Sequence, residues 1–132
     1  MAIRVLVADD VKEMRVLLRL AMTRHGGFEV VAEAEDGQSA IEMTGRHKPD
    51  VVLLDLAMPG MDGLEAIPLI HRALPGVRIL VLSGFSSPAI AARAKELCAT
   101  DYIEKGESPT IILQALERAF RSPSKDPGAD RD

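Results

Sequence analysis

The chain has 132 residues, a formal net charge of −4 and a single cysteine, with 47% hydrophobic and 27% charged residues. This length fits one small domain that can bury a core, and the composition is that of an ordinary globular protein. The acidic balance argues against broad binding to nucleic acids or anionic membranes, and no apolar stretch is long enough to span a bilayer. One cysteine excludes an internal disulfide framework and suits a reducing cytoplasm, where we expect the protein to reside.

Five short apolar runs alternate with helix-length segments along the chain. Such runs are typical of strands in a parallel sheet that is covered on both faces. The pattern therefore predicts an α/β domain of five strand–helix units. The predicted strands cover about residues 3–8, 28–34, 51–54, 77–82 and 100–104.

Capping and turn signals mark the five predicted helices. The first ends at Gly26-Gly27, the second spans about 38–46, and the third begins at Asp62-Gly63. The fourth is rich in alanine and has a thin apolar face, so we expect it to be the most mobile helix. The last follows Ser108-Pro109, which supply an N-cap and a proline at the first helical position.

Apolar spacing predicts which face of two helices is buried. In the first helix this face comprises Met14, Leu17, Leu18, Ala21 and Met22. In the last helix it comprises Ile112, Leu116, Ala119 and Phe120. Both faces predict helices that pack on the sheet.

Charged and polar side chains gather where the predicted strands end. Asp9 and Asp10 follow the first strand, Asp55 the third and Ser83 the fourth, and Lys105 lies just past the fifth. Ligands of open α/β sheets bind outside the carboxyl ends of the strands. Crowded carboxylates are costly unless a cation or a shared proton relieves them. The combination predicts a site for a divalent metal and a phosphoryl group.

Four sequence blocks lie at these strand ends: Val7-Ala8-Asp9-Asp10, residues 55–63, Leu82-Ser83-Gly84 and Tyr102-Ile103-Glu104-Lys105. Together they resemble the signature of response-regulator receiver domains, the phospho-acceptors of two-component systems. The resemblance implies a doubly wound, flavodoxin-like (βα)5 fold with a five-stranded parallel sheet in the order 2-1-3-4-5. We place the receiver domain at residues 1–121 and interpret residues 122–132 as a disordered tail or the start of a linker.

The resemblance also implies the chemistry of the site. Asp55 is the expected phospho-acceptor, a carboxylate nucleophile that forms an acyl phosphate. Mg²⁺ is expected to bind Asp10, Asp55 and the backbone carbonyl of Ala57 directly and Asp9 through water. Lys105 is expected to neutralise the charge of the phosphoryl oxygens. The protein is expected to catalyse only its own phosphorylation and dephosphorylation and to be no enzyme otherwise.

Two further residues form the expected switch. Ser83 would hydrogen-bond the phosphoryl group, and Tyr102 would turn inward as the serine moves toward it. Plainer interpretations are a helix-approach cap for Ser83 and a sheet-rim packing residue for Tyr102. Ala57 and Phe85 stand two residues past Asp55 and Ser83. We therefore expect a phosphorylated state that is longer lived than in members with polar residues at both places.

Partners follow from the resemblance as well: a sensor histidine kinase or phosphotransfer protein, a downstream effector protein, and a second copy in a phosphorylation-dependent homodimer. Candidate contacts with the kinase are Val11, Met14, Arg15 and Leu18. Candidate output residues are Arg93, Tyr102 and Gln114. We expect no membrane partner and no direct binding to nucleic acid.

Three classes of function remain open to comparison. The preferred one is a phosphorylation-controlled signalling switch, and the second is a binding module of the same fold that works without phosphorylation. A haloacid-dehalogenase phosphatase fits poorly, because that family carries Asp-x-Asp and a cap insertion. No helix-turn-helix follows Phe120, so we favour a stand-alone receiver over the receiver part of a DNA-binding regulator.

Overall fold

Five parallel strands form one sheet in the order β2-β1-β3-β4-β5, as the resemblance implied. The computed structural model describes residues 2–84 and 87–123. Its strands are β1 (Ile3–Ala8), β2 (Phe28–Ala34), β3 (Val51–Asp55), β4 (Arg78–Ser83) and β5 (Asp101–Glu104). Its helices are α1 (Lys12–His25), α2 (Gly37–His47), α3 (Gly63–Ala73), α4 (Pro88–Glu96) and α5 (Pro109–Arg121). The fold is the doubly wound, flavodoxin-like (βα)5 architecture.

Helices cover both faces of the sheet. One core cluster joins β-strand side chains such as Leu53 to α1 and α5, and the other joins side chains such as Leu54 to α2, α3 and α4. Successive strand residues point to opposite faces, so a strand buried on both sides must be apolar throughout. This is why β3, which is buried along its whole length, reads as an uninterrupted apolar run before Asp55.

The predicted element bounds agree with the structure to within one or two residues. Ser108 caps α5 by accepting a hydrogen bond from the backbone N–H of Ile111. The thin face predicted for α4 is confirmed, since Ala94 is its one buried residue; the mobility of α4 stays a prediction. α5 ends at Arg121, and the tail from residue 124 onward lies outside the described residues.

The burial predicted for α1 is wrong at one position. Leu18 and Met22 are fully buried, whereas Leu17 is 49% exposed. The stripe of α1 that touches the sheet is narrower than the apolar pattern suggested, because α5 packs beside α1 and leaves a groove there. Phe120 in α5 is half-buried.

A register shift in β2 changes which residues face α1. β1 and β2 pair in step from Ile3↔Phe28 to Val5↔Val30, and then Leu6 pairs with Ala32. The extra residue is a β-bulge, which reverses the side-chain alternation beyond it. Val30 packs in the α1/α5 cluster while Ala32 packs against the opposite cluster. The bulge therefore directs Glu33 toward the α1 side of the sheet.

None of the helices within the described ranges has the length and apolar character needed to cross a membrane.

Candidate functional site

The carboxyl ends of β1 and β3 bring three aspartates together. β1 and β3 are neighbours in register, with Ala8 opposite Leu54, so Asp9 and Asp55 leave the sheet side by side. One carboxylate oxygen from each of Asp9, Asp10 and Asp55 lies within 4.8 Å of the others. The predicted convergence of these residues is confirmed.

Backbone hydrogen bonds fix the orientation of the two buried carboxylates. The Val11 N–H donates to Asp9 Oδ1 at 2.8 Å, and the Ala57 N–H donates to Asp55 Oδ1 at 3.0 Å. The Asp9 N–H donates in turn to the Ala34 carbonyl of β2 at 2.9 Å. Each carboxylate is thus held by the loop that follows its own strand, which leaves the second oxygen, Oδ2, pointing into the site.

Lys105 supplies the positive charge of the site. Its Nζ lies 2.9 Å from Asp55 Oδ2 and 3.0 Å from Asp9 Oδ2. Its backbone N–H donates to the Ser83 carbonyl at 2.7 Å, which ties the loop after β5 to the end of β4. The sequence predicted a lysine facing a phosphoryl group. It did not predict that the ammonium would lie between the two buried carboxylates.

Burial and neighbouring groups together shift the pKa values of Asp9 and Lys105. Asp9 is 1% exposed and Asp55 is 0% exposed, while Asp10 is exposed. Desolvation raises the pKa of Asp9 above its usual value, aided by the charge of Asp55 and opposed by the Val11 N–H and Lys105. Desolvation is also the largest single influence on Lys105 and lowers its pKa, but the contacts with Asp55 and Asp9 outweigh it and raise the pKa overall.

The donor set fits a hard divalent cation. Asp9 Oδ2 is buried and accepts no hydrogen bond within the described residues, and its charge is balanced by the ion pair with Lys105 Nζ, whose place a cation could share. Carboxylate oxygens this close together are the ligands that Mg²⁺ prefers, with the exposed Asp10 open to solvent for retained waters. Asp9, Asp10 and Asp55 would hold the ion, with the Ala57 carbonyl as a predicted further ligand.

Arg15 and Glu33 support the site in a way that the sequence interpretation missed. Arg15 Nη1 donates to the Asp9 carbonyl at 2.5 Å, and Arg15 Nε donates to Glu33 Oε1 at 3.0 Å. Arg19 donates to the other Glu33 oxygen at 2.6 Å. This network links α1, β2 and the loop that carries Asp9. The four-residue spacing of Arg15 and Arg19 indicates two cations on one face of α1. Their shared partner, Glu33, could not be predicted because its direction depends on the bulge in β2.

The two expected switch residues lie on the neighbouring strands β4 and β5, with Ser83 at the strand end and Tyr102 opposite Val81. Ser83 is the buried last residue of β4 and pairs with Glu104 of β5. Tyr102 is half-buried and packs against the α2/α3/α4 cluster. Ala57 is exposed in the loop after Asp55. Phe85 lies outside the described residues.

The structure shows which of the predicted docking residues are exposed, and the docking itself stays a prediction. Leu18 is wrong as a kinase contact because it is fully buried, and Arg15 is 13% exposed and engaged with Glu33 and Asp9. Val11 is exposed and Met14 is half-buried.

The output residues do not form one group. Arg93 is exposed on α4 and pairs with Glu96 at 3.2 Å. Gln114 lines a groove together with His25 of α1, so it borders the α1 side of α5 rather than the side shared with α4. α5 turns Gln114 away because its buried stripe, centred on Ile112 and Leu116, fixes the rotation of the helix.

Comparisons with known proteins agree with this architecture and site. The family model described as "Response regulator receiver domain" matches residues 5–117. The chemotaxis protein CheY of Thermotoga maritima is 36% identical over 118 residues, covering 89% of this chain and 98% of CheY. The transcriptional regulatory protein PdtaR of Mycobacterium tuberculosis is 40% identical over 119 residues, covering 88% of this chain but 56% of PdtaR.

A solved structure agrees as well. The signal receiver domain of the putative response regulator NarL from Mycobacterium tuberculosis superimposes with a TM-score of 0.86 at 35% identity, covering 92% of this chain and 98% of that domain. With the strand order, the acidic group and Lys105 all in place, the chain belongs to the response regulator receiver domain family.

Proposed function

We propose that this receiver is a phosphorylation-controlled signalling switch in which Asp55 accepts a phosphoryl group from a phosphohistidine. The observation that carries the proposal is the buried Asp55 carboxylate with Lys105 Nζ 2.9 Å from Oδ2 and two further aspartates beside it. The donor is a sensor histidine kinase or a histidine phosphotransfer protein, and the output is a contact with a downstream effector protein. The protein would act in the cytoplasm and catalyse only its own phosphorylation and dephosphorylation.

The residues of the site support this chemistry. A carboxylate oxygen of Asp55 attacks phosphorus, a P–O bond forms, and the P–N bond to the imidazole breaks, so the electron pair leaves with the histidine. Lys105 neutralises charge on the phosphoryl oxygens and is held in position by two carboxylates. The Ala57 N–H orients Asp55 through Oδ1. Bound Mg²⁺ would supply further charge neutralisation and hold the phosphoryl oxygens in place.

We assign the switch to the neighbouring strands β4 and β5, which carry Ser83 and Tyr102. Once phosphorylated, Asp55 would draw the Ser83 hydroxyl toward the phosphoryl group, and Tyr102 would turn into the space that this movement opens. Ser83 is the last residue of β4 and leads to α4, which buries a single side chain. A change at Ser83 would therefore reach the surface through the most thinly packed helix.

Ala57 bears on how long the phosphorylated state lasts. Its methyl group has no polar atom to position a water molecule for attack on the acyl phosphate. We expect slow loss of phosphate in Mg²⁺ buffer, and Ala57→Asn to hasten that loss roughly tenfold by orienting water. Rapid loss from the native chain, measured by intact mass over time, would contradict this.

The direct test of the function is intact mass after incubation with Mg²⁺ and phosphoramidate. One added phosphoryl group on the native chain and on Asp62→Ala, an exposed aspartate of the same loop, is expected. Asp55→Ala and a magnesium-free sample should gain none. A native chain that is folded but never modified would favour the alternative, a protein-interaction module of the same fold that works without phosphorylation.

A second candidate is that this receiver forms one part of a longer transcriptional regulator. PdtaR is a transcriptional regulatory protein of which this chain covers 56%. The same receiver would then be the input part of a DNA-binding transcriptional regulator, with nucleic-acid contacts made outside residues 1–132. Sequencing the native gene beyond codon 132 separates this form from a stand-alone receiver.

A further inference from the structure

The outer face of α1 carries a stripe that the site does not use. Glu13, Leu17, Leu20 and Arg24 are spaced by four, three and four residues, which places them on one face of the helix. Leu17 is 49% exposed and Leu20 is 60% exposed, and both flanking charges are exposed. The stripe thus has an acidic end, an apolar centre and a basic end, and it is about 16 Å long.

A groove lies beside the apolar centre of the stripe. It has a volume of about 390 Å³ and separates α1 from the start of α5. Leu17, Leu20 and Ala21 form the apolar part of one wall, with Arg24 and His25 at its end, and Pro109, Thr110 and Leu113 form the other wall. A groove of this kind accepts a large apolar side chain from a second surface.

The charges at the two ends of the stripe form no ion pair with any other residue that the structure describes. The other α1 cations near the sheet, Arg15 and Arg19, are both paired with Glu33, and His25 lies 3.3 Å from Glu117. Within residues 2–84 and 87–123, neither Glu13 nor Arg24 takes part in an ion pair. Both are therefore free to pair with another molecule.

The order of residues makes the stripe complementary to itself. Glu13 and Arg24 are equally far along the helix from the midpoint between Leu18 and Arg19, and so are Leu17 and Leu20. When two copies of α1 lie antiparallel about a two-fold axis through that midpoint, each Glu13 faces an Arg24 and each Leu17 faces a Leu20. Antiparallel packing also places opposite ends of the helix dipoles together. This is the isologous arrangement that closes a dimer.

We propose that a second copy of this chain docks on this stripe, with the α1 helices antiparallel and Leu20 of each copy seated in the α1–α5 groove of the other. The contact forms without phosphorylation and is independent of the proposed function of Asp55. An interface made by one helix and one groove lies at the small end of the size range for protein interfaces. The dimer is accordingly weak and concentration-dependent.

Sedimentation equilibrium of the full chain, from about 10 μM to about 1 mM, tests the proposal through charge reversal. The native chain should show a monomer–dimer equilibrium. Glu13→Arg and Arg24→Glu each replace two attractive pairs by two repulsive ones, so each should raise the dissociation constant about tenfold. Leu20→Ser should weaken the dimer at least as much. Ile111→Ser, an exposed apolar residue of α5 that does not line the groove, should leave it unchanged.

Two experiments that restore the charge pairs test the antiparallel register of the two α1 helices. The double variant Glu13→Arg/Arg24→Glu restores both pairs within its own dimer and should associate like the native chain. An equimolar mixture of the two single variants should form a heterodimer, because one copy then carries two cations and the other two anions. Circular dichroism confirms that each variant is folded. A native chain that stays monomeric throughout, single variants that associate like the native chain, or a mixture that stays monomeric would each overturn the proposal.

Discussion

The two halves of the candidate site differ in how densely they are packed. The acidic half consists of Asp9, Asp10 and Asp55 at the ends of β1 and β3, joined by Lys105 from the loop after β5. Its two buried carboxylates each accept a backbone hydrogen bond. The α4 half, made of Ser83, Tyr102 and α4, contributes one fully covered helical residue, Ala94. α5, on the other side of β5, buries five. Chemistry that needs fixed geometry is placed where packing is dense, and the responding element is placed where packing is thin.

The largest effect should come from the one cation of the acidic half. Lys105→Ala should slow phosphorylation of Asp55 by phosphoramidate roughly 100-fold, because the phosphoryl charge is no longer neutralised. The affinity for Mg²⁺ should stay the same or increase, since the ammonium that occupies Asp9 Oδ2 and Asp55 Oδ2 is gone. Phosphorylation rates and titration calorimetry check both, with the exposed Lys95→Ala as the control. Loss of Mg²⁺ binding would contradict this account.

The second largest effect should come from a substitution at Gly63, where two backbone segments approach closely next to Asp55. A Cβ at Gly63 would lie 2.5 Å from the Cα of Leu56, the residue after Asp55. Gly63→Ala should lower the free energy of unfolding by roughly 1–3 kcal/mol because the backbone must shift. Urea unfolding measures the loss. Gly106→Ala, where a Cβ meets open space, should have little effect, and equal stability of the two variants would show that the acidic half is not rigid.

Because the pKa of Asp9 is raised, removing its charge should increase the stability of the fold by an amount that depends on pH. In the window between the ordinary value of 3.8 and the raised folded pKa, the folded state binds more protons than the unfolded state, so stability falls as the pH rises. Asp9→Asn should therefore stabilise the metal-free protein by roughly 1 kcal/mol at neutral pH. The gain should shrink as the pH falls below the folded pKa. Urea unfolding with a chelator, repeated across pH, measures it, and a gain that grows toward acid pH would contradict the sign.

The smallest effect is expected from a pair of alanine-to-glycine substitutions, one in α4 and one in α5, that compares the two helices. Ala94 in α4 and Ala115 in α5 are both fully buried, so the change to glycine removes the same methyl group from each helix. Ala115→Gly should lower the global free energy of unfolding by about 1 kcal/mol. Ala94→Gly should lower it less and instead speed hydrogen exchange across α4, because that helix opens locally. Equal global losses with unchanged exchange in α4 would remove the contrast between the halves.

Local sequence patterns accounted for most of the fold. The strand bounds followed from apolar runs, and the cap of α5 from Ser108-Pro109, because both signals depend on nearest neighbours along the chain. The exposure of Leu17 did not follow, since apolar spacing gives a stripe but not how much of it a neighbouring helix covers. Gln114 was misplaced for the same reason: the rotation of α5 is set by its packing on the sheet.

By itself, the sequence determined that carboxylates, a hydroxyl and a lysine meet at one edge of a parallel sheet, because the ends of parallel strands share that edge. Only the tertiary structure decided that Lys105 lies between Asp9 and Asp55, and that the bulge in β2 turns Glu33 toward Arg15. Strand order and direction follow from a pattern repeated along the chain. Side-chain contacts between distant segments depend on register and rotation, which are fixed when the elements pack.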